Sequence, residues 1–167
     1  MNMRLLKPEP LTAETFAPYG DVIEATDRAQ QKLINYGYTV RYHDLAALDL
    51  NKDNGQPLVS IFRSTPMPRP TPVKVMERHP LSSQAFYPLG QNPYLVVVAG
   101  RGDFNPDNLR AFLAAPGQGV NYHAGVWHHY SLALNEVSDF LVIDRGGPEK
   151  NCDEIFMEGS DGIAIDY

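Results

Sequence analysis

Side chains that can bind a metal interrupt an apolar strand pattern within residues 73–89. Counting by twos places Glu77 and His79 on the same strand face as Val73 and Val75, so both polar groups are predicted to point inward. A buried charge without a partner costs several kcal/mol. A bound cation, or a complex with an anionic substrate, would provide that partner.

A second polar cluster lies within residues 119–134, where the chain reads GVNYHAGVWHHYSLAL. The period-two pattern places His128 on the apolar face and His129 on the opposite one. Oxygen and nitrogen ligands suit nickel, zinc, manganese or iron(II) better than calcium, and they leave positions open for a substrate. The ligands of the predicted metal site are Glu77, His79, Gln84 and His128.

The same residues allow a structural interpretation. The histidines could be packed strand residues, and the carboxylate of Glu77 could pair with an arginine. Its candidate partners are Arg41, Arg63 and Arg78. Cys152 is interpreted as a small packed residue rather than a nucleophile, and Asp144–Arg145, followed by two glycines, as a strand-ending turn with a structural ion pair.

Many short strands and one short helix must position these groups. Thr12 is predicted to cap a single helical turn that ends at Phe16. The number and spacing of the strands predict an all-β barrel or jelly roll forming one domain over residues 1–167, with a core at about 10–158 and a loosely held C-terminal tail. The predicted strands are 21–24, 35–44, 58–63, 73–79, 84–88, 94–99, 109–114, 120–123, 128–134, 139–144 and 155–157.

The predicted strand at 35–44 combines aromatic and basic side chains. Arg41 and His43 share one of its faces, where they could contact an anionic ligand. Tyrosines dominate the other face and are assigned to the core or to an interface between copies. These tyrosines are Tyr36, Tyr38 and Tyr42.

Composition excludes several classes of protein. The net charge of −6 over 167 residues argues against nucleic acid as a partner, because phosphate binding needs a basic face. The single cysteine, Cys152, excludes an internal disulfide framework and favours the reducing cytoplasm. No apolar run has the length of a membrane span. The chain has no phosphate-binding loop, dinucleotide fingerprint or nucleophile elbow.

Two resemblances extend these predictions. The spacing of Glu77, His79 and Gln84, followed by the HAGVWH segment that ends at His128, resembles the two cupin motifs. Five ordered segments resemble the ureidoglycolate lyase family over nearly the whole chain. These segments are FAPYGDVIE (16–24), RYHDL (41–45), ERHPLSSQAFYPL (77–89), VNYHAGVWHH (120–129) and DFLVIDRGG (139–147).

The family resemblance implies a cupin barrel, usually a homodimer, that splits (S)-ureidoglycolate into glyoxylate and urea during allantoin breakdown. It also implies a nickel-type divalent cofactor. The reaction needs a base, an acid and an anchor for the substrate carboxylate. The candidates are His79 or His128 as the base, His123 or Tyr122 as the acid, and Arg41 or Arg63, with His43, as the substrate-binding group.

Two other functions remain open from the sequence. A non-catalytic cupin that binds a small organic acid would need the arginine anchor but no acid and base. A cupin isomerase or epimerase acting on a sugar derivative would need aromatic stacking surfaces, which Trp127 and Tyr130 could provide.

Overall fold

The computed structural model describes residues 3–157 and 162–167, and its chain folds almost entirely into strands. The predicted all-β, cupin-like class is therefore confirmed. The strands are β1 (Arg4–Leu6), β2 (Glu9–Pro10), β3 (Gly20–Ile23), β4 (Gln30–Ile34), β5 (Thr39–His43), β6 (Gln56–Ser64), β7 (Thr71–Pro72), β8 (Val75–Arg78), β9 (Gln84–Pro88), β10 (Tyr94–Ala99), β11 (Arg110–Ala114), β12 (Gly119–Tyr122), β13 (Trp127–His128), β14 (Leu132–Ala133), β15 (Ser138–Gly146), β16 (Asp153–Phe156) and β17 (Ile163–Ile165). The helical elements are α1 (Ala13–Phe16) and short 3₁₀ turns at Asn35–Gly37, Lys52–Asn54 and Pro106–Asn108.

Two large sheets form the barrel. One has the strand order β16-β8-β13-β10-β11-β2, with β14 also paired to β10, and the other has the order β3-β12-β9-β15-β6. A smaller sheet, β1-β17-β7, packs on the outer side of the first large sheet, and the β4–β5 hairpin pairs with neither. The barrel interior therefore lies between the two large sheets.

Strand β10 is buried on both faces, which explains its uninterrupted apolar sequence. Val96 and Val98 belong to the cluster inside the barrel, whereas Leu95 and Val97 pack on the outer side. Ile165 of β17 is fully buried in that outer cluster. The expectation of a loosely held tail is therefore wrong for residues 163–165, while residues 158–161 lie outside the described part of the chain.

The predicted helical turn is present and closes one side of the inner cluster. The backbone N–H of Thr15 donates to the Thr12 hydroxyl, as a helix cap requires. Phe16, the last residue of α1, has no exposed surface and packs edge-on against Phe112 at a centroid distance of 5.6 Å. Among the described residues, no helix has the length and apolar character needed to cross a membrane.

The prediction of one strand over residues 35–44 is wrong. The chain reverses at Asn35–Gly37, where Asn35 and Tyr36 adopt positive φ angles, and this turn connects β4 to β5, so only Thr39–His43 of the predicted segment forms a strand. Tyr36 and Tyr38 are almost completely exposed in the single chain. Their assignment to the core is wrong, and the interface assignment stays a prediction.

Candidate active site

Neighbouring strands of the first large sheet bring three predicted ligands together. Glu77 on β8 lies directly opposite His128 on β13, and His79 follows the last residue of β8. One potential ligand atom from each of the three side chains lies within 4.8 Å of the others. The structure thus brings Glu77, His79 and His128 to one point inside the barrel. The single alternating strand predicted over 128–134 is wrong, because β13 and β14 are separate two-residue strands and Leu132 and Leu134 pack in the outer cluster.

Gln84 reaches the same point from the facing sheet. Its side-chain Oε1 lies 3.1 Å from Nε2 of His79 and 3.0 Å from Nε2 of His128. Its Nε2 donates to Oδ2 of Asp144 at 3.1 Å. The Gln84 amide therefore connects the two sheets, because it contacts both histidines of one sheet and Asp144 of the other.

Backbone carbonyls fix which nitrogen of each histidine carries the proton. Nδ1 of His79 donates to the Asn151 carbonyl at 2.7 Å, and Nδ1 of His128 donates to the Val126 carbonyl at 3.1 Å. Burial lowers the pKa of His128 to about 3, so this imidazole is neutral at physiological pH. Nε2 of His128 is then an acceptor without a proton, and Nε2 of His79 faces the same point.

These contacts leave acceptor atoms facing one another. Inverting the Gln84 amide would place its oxygen against the Asp144 carboxylate, so Oε1 must face the two imidazole nitrogens. Oε1 of Glu77 adds a further acceptor 3.6 Å from Nε2 of His128. The Cys152 thiol donates to the other oxygen of Glu77, Oε2, at 3.9 Å, but no described residue donates to Gln84 Oε1 or to Glu77 Oε1. A divalent cation fits this group of acceptors, because it would be bound by two nitrogen and two oxygen ligands.

Burial also affects the ionisation of Glu77. Burial raises the pKa of this carboxyl group, since loss of solvent disfavours its charged form. A cation bound nearby would instead favour the carboxylate. A cation at this position would therefore offset the effect of burial on the Glu77 carboxyl group.

Tyr122 supports the His128 ring. The two rings stack in parallel, with centroids 4.1 Å apart and planes 4° apart, and the edge of Phe86 packs against the same tyrosine. Burial raises the pKa of Tyr122, so its hydroxyl keeps its proton. This geometry fixes the orientation of the imidazole.

His123 does not join the cluster of predicted ligands. It follows Tyr122 and shares the opposite side of β12 with Asn121, where its Nε2 lies 3.1 Å from Oδ2 of Asp21. Asn121 also donates to this carboxylate oxygen. The structure thus pairs His123 with Asp21 on the outer side of the sheet.

The predicted carboxylate anchors also lie elsewhere. Arg63 forms a two-bond ion pair with Asp139, five strand positions from Asp144 along β15. Arg41 and His43 lie on β5 in the hairpin, and His43 contributes to a separate cavity of about 770 Å³ beside α1. None of the three lines the cavity that adjoins His79.

This cavity, of about 250 Å³, combines His79 with groups that the sequence interpretation treated as structural. Asp144 points inward because it continues the alternation of Phe140 and Val142 along β15. Burial raises the pKa of Cys152 to about 11, which keeps its thiol protonated. The residues lining the cavity are His79, Ser82, Asp144, Arg145, Asn151 and Cys152.

The fold and the site together define a class of protein. A β-barrel that directs histidine, carboxylate and amide groups from two facing sheets to one point is a cupin-like barrel with a candidate metal centre. More specifically, the chain belongs to the ureidoglycolate lyase family, whose model matches residues 3–164. The resemblance seen in the sequence is confirmed.

Relatives in several bacteria share most of the chain. A protein of Burkholderia cepacia is 56% identical over 155 residues, covering 92% of this chain and 87% of its own. One of Pseudomonas fluorescens is 49% identical over 164 residues, covering 98% of each chain. Both are described as ureidoglycolate lyases. A dTDP sugar isomerase structure from Desulfovibrio desulfuricans, at 16% identity and a TM-score of 0.43, covers 83% of this chain and 85% of its own and supports no inference.

We expect His128→Gln to lower the affinity for a divalent ion by at least about tenfold, because it removes one nitrogen ligand. His129→Gln is the matched control. His129 is equally buried, but its Nε2 accepts from the Lys74 backbone, so metal binding should persist in that variant. Metal content after loading and dialysis, measured by mass spectrometry, tests this. Equal occupancy in the wild type and His128→Gln would contradict the site.

Proposed function

We propose that the protein is a carbon–nitrogen lyase that cleaves (S)-ureidoglycolate into glyoxylate and urea. Membership of the ureidoglycolate lyase family over residues 3–164 supports this proposal. The observation that carries it is the small cavity whose wall contains His79 and Asp144, with the converging acceptor atoms beside it. A cavity of about 250 Å³ suits a substrate of this size.

The reaction itself defines what the site must do. Ureidoglycolate is a carbinolamine, so loss of its hydroxyl proton forms the carbonyl while the carbon–nitrogen bond breaks. The bonding electrons leave with the urea nitrogen, which takes up a proton. The net change is the transfer of one proton from oxygen to nitrogen, without an oxidant, a reductant or water. One residue can therefore accept the proton and return it.

The proposed cofactor is a divalent ion held by Glu77, His79, Gln84 and His128. When bound, it would supply Lewis-acid chemistry that lowers the pKa of the substrate hydroxyl. Nickel, which the family resemblance implies, is one of the ions compatible with this mixture of oxygen and nitrogen ligands. In this proposal both histidines serve as ligands, so a different group must carry the proton.

We assign proton transfer to Asp144. Its carboxylate lines the cavity and is not among the proposed metal ligands. The Gln84 amide orients its Oδ2, whereas Oδ1 accepts no hydrogen bond from any described residue. An oriented carboxylate with one free oxygen can accept the hydroxyl proton and donate it to the departing nitrogen.

Asn151 closes the cavity over the turn that follows β8. Its side-chain oxygen accepts from the Leu81 backbone at 2.7 Å, and its amide donates to the Ser82 hydroxyl at 2.8 Å. Its own carbonyl accepts from His79. These three bonds hold the returning segment against the site, where it would limit the access of water to the substrate.

A homodimer, which the family resemblance implies, is the proposed assembly. The hairpin presents exposed apolar side chains that a single chain does not cover, and the edge strand β6 presents more. A second copy of this chain is the proposed partner for these two surfaces. Their exposed apolar residues include Leu33, Tyr36, Tyr38, Val59 and Ile61.

The first test measures glyoxylate and urea released from each enantiomer of ureidoglycolate, before and after chelation. We expect selective cleavage of the (S) enantiomer, loss of activity on chelation and recovery with a divalent ion. Both enantiomers are needed, because carbinolamines also decay unaided and only a catalyst distinguishes them. Equal decay of both at the background rate would contradict the lyase proposal.

Asp144→Asn should lower kcat by at least about 100-fold, the usual contribution of a proton-transfer group. Its amide oxygen can still accept from Gln84, so metal content should not change. Asp139→Asn, on the same strand but paired with Arg63, is the matched control and should keep wild-type kcat. Wild-type kcat in Asp144→Asn would exclude the assigned role.

The double variant Tyr36→Ser and Tyr38→Ser should be monomeric, because it removes the largest exposed apolar surface of the hairpin. Light scattering after gel filtration should give twice the 18.6 kDa chain mass for the wild type and the single-chain mass for the variant. Leu89→Ser, which changes an exposed apolar residue outside the hairpin, is the control. A dimeric double variant would place the interface elsewhere.

A further inference from the structure

Arg145 is a buried arginine for which the described part of the chain provides no anionic partner. Only 8% of its surface is exposed, and it forms no ion pair with any described residue. Buried charges in proteins are normally paired, since an isolated one loses the favourable interaction with water. The wall of the cavity that adjoins His79 therefore contains a guanidinium group that no described carboxylate contacts.

The guanidinium of Arg145 is held rigidly. Its Nε donates to the Lys52 carbonyl at 3.1 Å, and one terminal nitrogen donates to the Asp53 carbonyl at 3.0 Å. Gly55 and Gly147 lie against the same group. A Cβ at Gly147 would come within 2.8 Å of both terminal nitrogens, and a Cβ at Gly55 would clash with Nε. Glycine at both positions therefore allows this placement.

The two backbone bonds account for only part of the donor capacity of Arg145. A guanidinium has five N–H donors, so three have no acceptor among the described residues. Support of the Lys52–Asn54 turn explains the two bonds that are made. It does not explain why an unpaired charge lines a cavity next to His79 and Asp144.

We infer that Arg145 is the anchor for the substrate carboxylate. Arginine matches a carboxylate with two parallel hydrogen bonds, which fix its orientation as well as its position. This inference rests on the proposed function and makes it more specific, because it restricts the substrates to small 2-hydroxy acids with a free carboxylate. Arg145 thereby takes the role that the sequence analysis gave to Arg41 or Arg63.

The kinetic test compares KM and kcat for (S)-ureidoglycolate. Arg145→Gln should raise KM by about 10- to 100-fold, the range for a lost charge-assisted hydrogen-bonded pair, with a smaller effect on kcat. Arg145→Lys should recover only part of the loss, because an ammonium group cannot form the parallel bonds. Arg4→Gln, which removes an arginine that also bonds a backbone carbonyl, should leave KM unchanged. An unchanged KM in Arg145→Gln would overturn the inference.

Gly147→Ala keeps the test decisive if loss of Arg145 disturbs folding. The added methyl group should displace the guanidinium while the arginine itself remains. KM should again rise by about tenfold. A folded Gly147→Ala variant with wild-type KM would overturn the inference.

A binding measurement separates this inference from the lyase proposal. By calorimetry, the wild type should bind glycolate at least about tenfold more tightly than uncharged glycolamide, and Arg145→Gln should lose this preference. A wild type that shows the preference but does not cleave ureidoglycolate would retain the anchor and refute the lyase. Equal binding of the two probes by the wild type would refute the anchor.

Discussion

The hydrogen bond from Gln84 to Asp144 is the constraint on which the site depends. It fixes the amide so that Oε1 must face His79 and His128, whose own Nδ1 atoms are already committed to backbone carbonyls. His79, His128 and Gln84 each donate a hydrogen bond on the side away from the site, and each directs an acceptor atom into it. The whole hydrogen-bond network, rather than any single ligand, therefore makes this point favourable for a cation.

This network links the two halves of the barrel. Glu77 and His128 lie opposite each other in one sheet, whereas Gln84 and Asp144 come from the facing sheet. A change in register of either sheet by one residue would turn these side chains away from one another. Binding of an ion should therefore stabilise the closed barrel as well as complete the site, because a ligand that binds only the folded state stabilises it.

The sequence predicted those parts that local periodicity determines. Strand alternation placed Glu77 and His79 inward, and the strands at 84–88 and 94–99 were predicted with their observed bounds. The predicted strand at 128–134 is instead two short strands, and β1, β2, β4, β7 and β17 were not predicted. Strand alternation gave wrong predictions where contacts between distant segments determine the structure. Tyr36 lies at a chain reversal that alternation obscures. The role inferred for Arg145 depends on a turn some 90 residues earlier and on Gly55 beside that turn, which no local pattern shows.

The balance of charge around the cavity joins these features into one mechanism. The protein is acidic overall, so its long-range field does not attract an anionic substrate. Glu77 and Asp144 would also repel the substrate carboxylate at short range. A bound cation would offset Glu77, and Arg145 would offset the substrate carboxylate, which leaves Asp144 negative and able to accept a proton. Loss of either positive charge should therefore weaken more than one step, and the effects of changing the ligands, Arg145 and Asp144 should not be additive.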